Sequence, residues 1–157
     1  MNTNAINPEV VAKHITALVG VTVTAKKGLP TDLKGKTVVC VIDNEATELA
    51  CLILFDFAAA GGAGAALSRI PPAVVKDATV RNTLDENLLE NFHEIANVLT
   101  VLTTAALGQR SILRGVKQGK DSEEPGLKAF IAKATTKICI QLAIQGYPSG
   151  HCAFLFA

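Results

Sequence analysis

Two patterns of apolar residues alternate along this chain of 157 residues. One recurs at steps of three and four, which gives a helix one buried face. The other is a short run of apolar and β-branched residues between turn formers, which suits a strand. The helical pattern opens at Pro8 and Glu9, with Val10, Val11, His14, Ile15 and Leu18 at helical spacing and Gly20 as a stop. A short strand over 21–25 follows, and then a connection punctuated by Gly28, Pro30 and Gly35. Residues 37–42 and 49–55 read as a hairpin joined by Asp43, Asn44 and Glu45. The Ala/Gly-rich stretch 57–67 reads as a helix packed closely on the sheet, ending before Pro71 and Pro72, and polar residues 76–83 lead onward.

The strongest helical pattern covers 84–107. Leu84, Leu88, Phe92, Ile95, Leu99, Leu102 and Ala106 make one apolar face, Thr83 or Asp85 can cap its start, and Gly108 can end it. Beyond it, 110–116 suits a strand and 119–126 a charged loop. Residues 134–144 and 151–156 are strands around the turn Tyr147-Pro148-Ser149-Gly150. Each half of the chain thus shows a helix, a short strand, a connection and a strand pair. A cysteine falls in each paired strand: Cys40 and Cys51, then Cys139 and Cys152. The expected fold is α+β: one domain over 1–157, with strands 37–42, 49–55, 134–144 and 151–156 in one antiparallel sheet and long helices packed on it. The nearly uncharged C-terminal strand is a hazard at an open edge, so it is either central in its sheet or covered by a second subunit in a homodimer.

Composition narrows the function classes. Apolar residues make up 49% and charged residues 18%, too apolar for disorder. Lys and Arg number 15 against 14 acids, which gives no global nucleic-acid footprint. Bases do gather between Arg110 and Lys137, a pattern that suits a solvated sheet edge or an acidic partner. The apolar stretch 49–67 contains Asp56 and three glycines, so it reads as a strand entering a helix rather than a membrane span, and the start of the chain has no signal-peptide pattern. These features suit a cytoplasmic protein with reduced core cysteines.

Three familiar signatures fail. His93-Glu94-Ile95-Ala96-Asn97 begins like a zinc helix, but Asn97 stands where the second histidine belongs, so no metal site is expected. Gly62-Ala63-Gly64-Ala65-Ala66-Leu67 follows a strand, yet Leu67 is too bulky for a dinucleotide loop. The histidines and cysteines are too scattered to suggest a nucleophile and its base. What remains is a polar stripe of Asn87, Glu90, Asn91, Glu94 and Asn97 on the long helix, away from its apolar face and continued by Val98 and Val101. Periodicity alone allows an ordinary solvated face. Polar groups bordered by exposed valines also suit a docking surface.

The segment 84–97 resembles the signature helix of the CheC/CheX chemotaxis phosphatases, which carry a Glu-x-x-Asn motif matched here by Glu94 and Asn97. The stretch Leu52-Ile53-Leu54-Phe55-Asp56-Phe57 is similar to that family's strand-to-helix passage, and the likeness runs from about residue 37 to 107. Glu90 stands where members often have Asp or Ser. The proline expected downstream of the motif is displaced: Lys120 falls there, and Pro125 comes later. With one motif copy, the chain resembles the CheX type more than the two-site CheC type. The resemblance implies dephosphorylation of a CheY-like response regulator, with Asn97 orienting the attacking water and Glu94 contacting the lysine of the regulator's active site. Glu90, Asn91, Val98 and Val101 would flank that contact. No cofactor of the chain's own is implied, because the regulator holds the divalent metal. It also implies a homodimer with sheets paired between subunits. The alternative is a non-catalytic docking module like the related middle domains of flagellar switch proteins.

Overall fold

A computed structural model describes residues 1–157. In chain order the elements are α1 (Pro8–Val19), β1 (Val23–Lys27), β2 (Val38–Asp43), β3 (Leu49–Phe55), α2 (Phe57–Ser68), α3 (Pro72–Arg81), α4 (Glu86–Leu107), β4 (Ile112–Lys117), α5 (Pro125–Lys133), β5 (Thr136–Ile144) and β6 (Gly150–Phe156). Every strand pairing is antiparallel, in one sheet of order β1-β5-β6-β3-β2-β4. The fold class expected from the sequence is the one observed. The four expected strands form the centre, and β1 and β4 are the edges. Being flanked by β5 and β3, β6 needs no second subunit to cover it, so the open-edge reason for expecting a homodimer falls away.

Helices start and stop where local chemistry requires it. Asn7, Asp56 and Asp85 accept hydrogen bonds from the backbone N–H of Val10, Ala59 and Leu88 at the starts of α1, α2 and α4. Gly20 and Gly108 end α1 and α4 in the left-handed conformation, at φ 77° and 70°. The main core lies between the sheet and α1, α2 and α4. A smaller core on the opposite sheet face joins Val39, Val41, Leu52, Ala153 and Leu155 to Leu127 of α5. Both faces being covered explains why β2 is buried along its whole length.

Two helices depart from expectation. The charged stretch after Gly119 holds only a 3-10 turn (Gly119–Glu123) before α5 begins at Pro125. The polar passage before the long helix contains α3, which buries only Val75 and Ala78. The small-residue helix α2 also does more than lie on the sheet. A Cβ on Gly62 would face Ile144, one on Gly61 would face Val75 of α3, and one on Gly64 would fall 2.8 Å from the carbonyl oxygen of Leu88 in α4. Glycine and alanine therefore let α2 sit within a shell of sheet and helices.

The internal repeat is topological and local. Exchanging β1, β2, β3 for β4, β5, β6 reverses the strand order into itself. At the exit of each half's leading helix, a threonine accepts from the backbone N–H seven residues on: Thr16 from Val23 and Thr104 from Ser111, both at 3.0 Å. Aligned on these threonines and on Gly20 with Gly108, Glu9 stands where Asn97 does, and buried Ile6 stands where Glu94 does. The N-terminal half therefore carries no second copy of the Glu-x-x-Asn pair.

Candidate functional site

Helix α4 is held from several directions. Its apolar face, from Leu88 through Phe92, Ile95, Leu99 and Leu102 to Ala106, is buried. The Phe92 ring meets Phe55 of β3 edge-on, with centroids 4.9 Å apart. Just before the helix, the Gln118 amide brackets Leu84, accepting from its N–H at 2.8 Å and donating to its C=O at 3.0 Å. Near the other end the Thr103 and Ser111 hydroxyls lie 2.6 Å apart, and Ser111 also donates to the Thr100 carbonyl. Thr100 in turn donates to the Asn97 carbonyl at 2.7 Å. This chain of hydroxyls ties the backbone beside Asn97 to the start of β4.

On the solvent side Glu90, His93, Glu94 and Asn97 are exposed, and the side chains of Glu90, Glu94 and Asn97 have no hydrogen-bond or ion-pair partner within the chain. Val98 is half-buried, and Val101 is 58% exposed. Glu94 and Asn97, three residues apart on an anchored helix, share one face. A rigid helix presents such a pair with its backbone geometry already fixed.

Asn91 belongs elsewhere. Its amide nitrogen donates to the Gly64 carbonyl and to the Ser68 hydroxyl, both at 2.9 Å, which fastens α4 to α2. The sequence stripe grouped it with the docking residues, but its donor is used inside the molecule.

The structure adds residues that helical periodicity does not reveal. A groove of about 380 Å³ runs between α4 and β4, lined by Asn97, Thr100, Val101 and Thr104 on one side and by Arg110, Ser111, Ile112 and Leu113 on the other. Ile112 is 44% exposed; the Arg110 backbone N–H donates to Glu45 at 3.2 Å, while its guanidinium has no carboxylate within salt-bridge distance. No sequence signal marks these residues, because they meet α4 only where β4 folds back beside the helix end.

A charge cluster elsewhere centres on His151, whose Nδ1 lies 3.1 Å from Asp56 Oδ2 and whose Nε2 lies 3.9 Å from Asp32. It secures the start of β6 to the N-terminus of α2. The four cysteines are free thiols; Cys40, Cys51 and Cys152 are buried and Cys139 is half-buried. Burial pushes all four thiols up from their ordinary pKa. They are poor nucleophiles in this setting. No helix is long and apolar enough to cross a membrane.

No family model matches the chain. No curated protein matches it in sequence. Among solved structures it is similar to the FliM middle domain from H. pylori, with a TM-score of 0.60 and 7% identity over 95% of this chain and 84% of that one. FliM in a FliM–SpeE complex from H. pylori gives a TM-score of 0.63 at 8% identity, over 95% of this chain and 80% of that one. FliY of Thermotoga maritima gives 0.53 at 13% identity, over 94% and 82%. At these identities the likeness concerns the backbone: the chain shares its fold with the FliM middle domain and with FliY.

Proposed function

We propose that this chain is a protein-docking domain of the chemotaxis and flagellar-switch kind, presenting the Glu94–Asn97 face of α4 to a partner protein. The observation that carries this reading is the state of those side chains: exposed, unpaired and set on a helix whose other contacts are satisfied. Support also comes from the neighbouring folds, since FliM occurs in complexes with SpeE and with FliG. A CheY-like response regulator is the partner we propose. Its active site holds a lysine that Glu94 can meet as a charge-assisted contact, and Val98 and Val101 supply apolar area beside it.

A second reading, dephosphorylation of that regulator, is favoured by one specific observation. The Asn97 carboxamide is free of internal partners, so it can both accept from and donate to a water. The regulator's own metal ion would polarise the phosphoryl group, leaving Asn97 only to align water in line with phosphorus. The test measures decay of a phosphorylated CheY-like regulator, together with its binding, for the parent protein, Asn97→Ala, Glu94→Ala and Val101→Asp. Docking predicts that Glu94→Ala and Val101→Asp weaken binding. Catalysis predicts that Asn97→Ala abolishes accelerated decay while binding and folding persist. Binding with no acceleration by the parent leaves the docking role alone. Absence of binding to every regulator tried overturns both.

A further inference from the structure

The antiparallel ladder between β1 and β5 stops early. Val23 to Lys27 pair with Ile144 back to Ile140, and one further bond runs from the Gly28 N–H to the Cys139 carbonyl at 2.8 Å. There the chain leaves the sheet through a short 3-10 turn (Pro30–Asp32), fixed by the Leu29 N–H donating to Asp32. Gly28 allows the departure, because a Cβ there would stand 3.2 Å from the Ile140 backbone. β5, however, extends back to Thr136, and its first residues have β6 on one side and no strand on the other. Backbone groups alternate sides along a strand. Since Cys139 turns its carbonyl toward Gly28, Lys137, two residues earlier, turns its N–H and C=O to the same open edge.

This gap is shaped and charged. It forms a depression of about 400 Å³ whose apolar walls include Ile6, Pro8, Pro30 and Ile138, with Lys27 and Lys137 at its rim. Both lysines are exposed, and neither has a carboxylate within salt-bridge distance. The nearby acid, Asp32, already accepts from Leu29 and faces His151. Lysines on a sheet edge also discourage edge-to-edge pairing. That role alone asks for no concave apolar floor.

We propose that this gap binds an extended acidic peptide segment of a partner protein, added as a short strand beside Lys137. Its backbone would continue the ladder that β1 abandons, and its apolar side chains would enter the depression on the Ile138 face. Its carboxylates, on the other face, would meet Lys137, while Lys27 adds positive charge beside the depression. The site is separate from the Glu94–Asn97 face and stands or falls independently of it.

The test uses fluorescence anisotropy with a labelled hexapeptide alternating valine and aspartate. Saturable binding is expected, weakened at least tenfold in a Lys27→Glu/Lys137→Glu variant and unchanged in a Glu94→Ala/Asn97→Ala variant. A hexapeptide alternating valine and lysine should fail to bind. N-methylation of alternate amides should abolish binding, which separates strand addition from plain charge attraction. No saturation at millimolar protein, equal binding of the methylated or lysine peptide, or indifference to the lysine reversal each overturns the proposal. So does a dimer in sedimentation that excludes the peptide.

Discussion

Replacing Gly64 by alanine should destabilise the protein even though the residue lies in the middle of a helix. In an unobstructed helix the change gains about 1 kcal/mol. Here the new Cβ would stand 2.8 Å from the carbonyl oxygen of Leu88 and 3.3 Å from the nitrogen of Phe92, while ordinary contact begins near 3.4 Å. Both neighbours are backbone atoms of α4, so no side-chain rotation relieves the clash and the two helices must separate by about 0.6 Å. Overpacking of that kind costs about 1–3 kcal/mol. The shift also strains the Asn91 bond to the Gly64 carbonyl, whose loss costs up to about 1 kcal/mol. The net expectation is a loss of about 1.5 kcal/mol, a fall in Tm of about 3–6 °C for a domain of this size. Gly62 is the internal comparison. Its new Cβ would meet Ile144 at 3.4 Å and Tyr147 at 3.5 Å, ordinary contacts, so Gly62→Ala should gain up to about 1 kcal/mol. Urea unfolding followed by circular dichroism reads both variants. If Gly64→Ala raises the midpoint as Gly62→Ala does, α2 and α4 are not in the close contact described. Because α4 carries Glu94 and Asn97, Gly64→Ala should also weaken regulator binding without touching the docking face.

The repeated threonine bonds make a paired prediction. Thr16→Val and Thr104→Val should each lose about 1 kcal/mol in urea unfolding, and Thr104→Val should lose more, because the second bond of Thr104, to the Ser111 hydroxyl, is 2.9 Å while that of Thr16, to the Val23 carbonyl, is 3.4 Å. The buried thiols give a pH dependence. Burial raises Cys40, Cys51 and Cys152 in the folded chain, so their contribution is complete below the unfolded thiol pKa of about 8.5 and is lost as pH rises above it, by up to about 1.4 kcal/mol per pH unit for each thiol. Urea midpoints between pH 8 and 10 should fall, and Cys40→Ala should flatten the slope; an unchanged slope would refute the assignment. At pH 8 iodoacetamide should modify half-buried Cys139 first, as read by mass spectrometry of digests.

What was legible in the sequence follows from how much of each element's burial is periodic. In α4 the buried apolar residues recur at steps of three and four, so period and caps agreed, and the exposed placement of Glu94 and Asn97 followed from the same wheel. β2, β3 and β6 were legible because both of their faces are covered and their sequences are mostly apolar, and β5 because its β-branched and apolar residues outnumber the polar ones between its turns. α3 was missed because only Val75 and Ala78 are buried among polar neighbours; Pro72 at its first turn was the available sign. α5 was missed because charges before it masked the spacing of Leu127, Phe130 and Ile131, which cover the second sheet face. The internal bonds of Asn91 were not legible because a helical wheel places a side chain in a sector but cannot see that α2 passes close enough to bind it. Arg110 and Ile112 join the groove only through the return of β4, a tertiary event with no local signature.

The palindromic strand order carries a further meaning. Neither β1 nor β4 pairs within its own half of the chain: β1 lies against β5, and β4 against β2. One repeat unit by itself would leave its first strand stranded, with unmet backbone groups and a bare helix above it. Two units must therefore trade strands to become complete, so a solitary unit could persist only as an exchanged pair with a second copy. In this chain the exchange has become intramolecular. Severing the covalent link near Asn82 should leave two fragments that are each unstructured alone, yet rebuild the sheet when mixed.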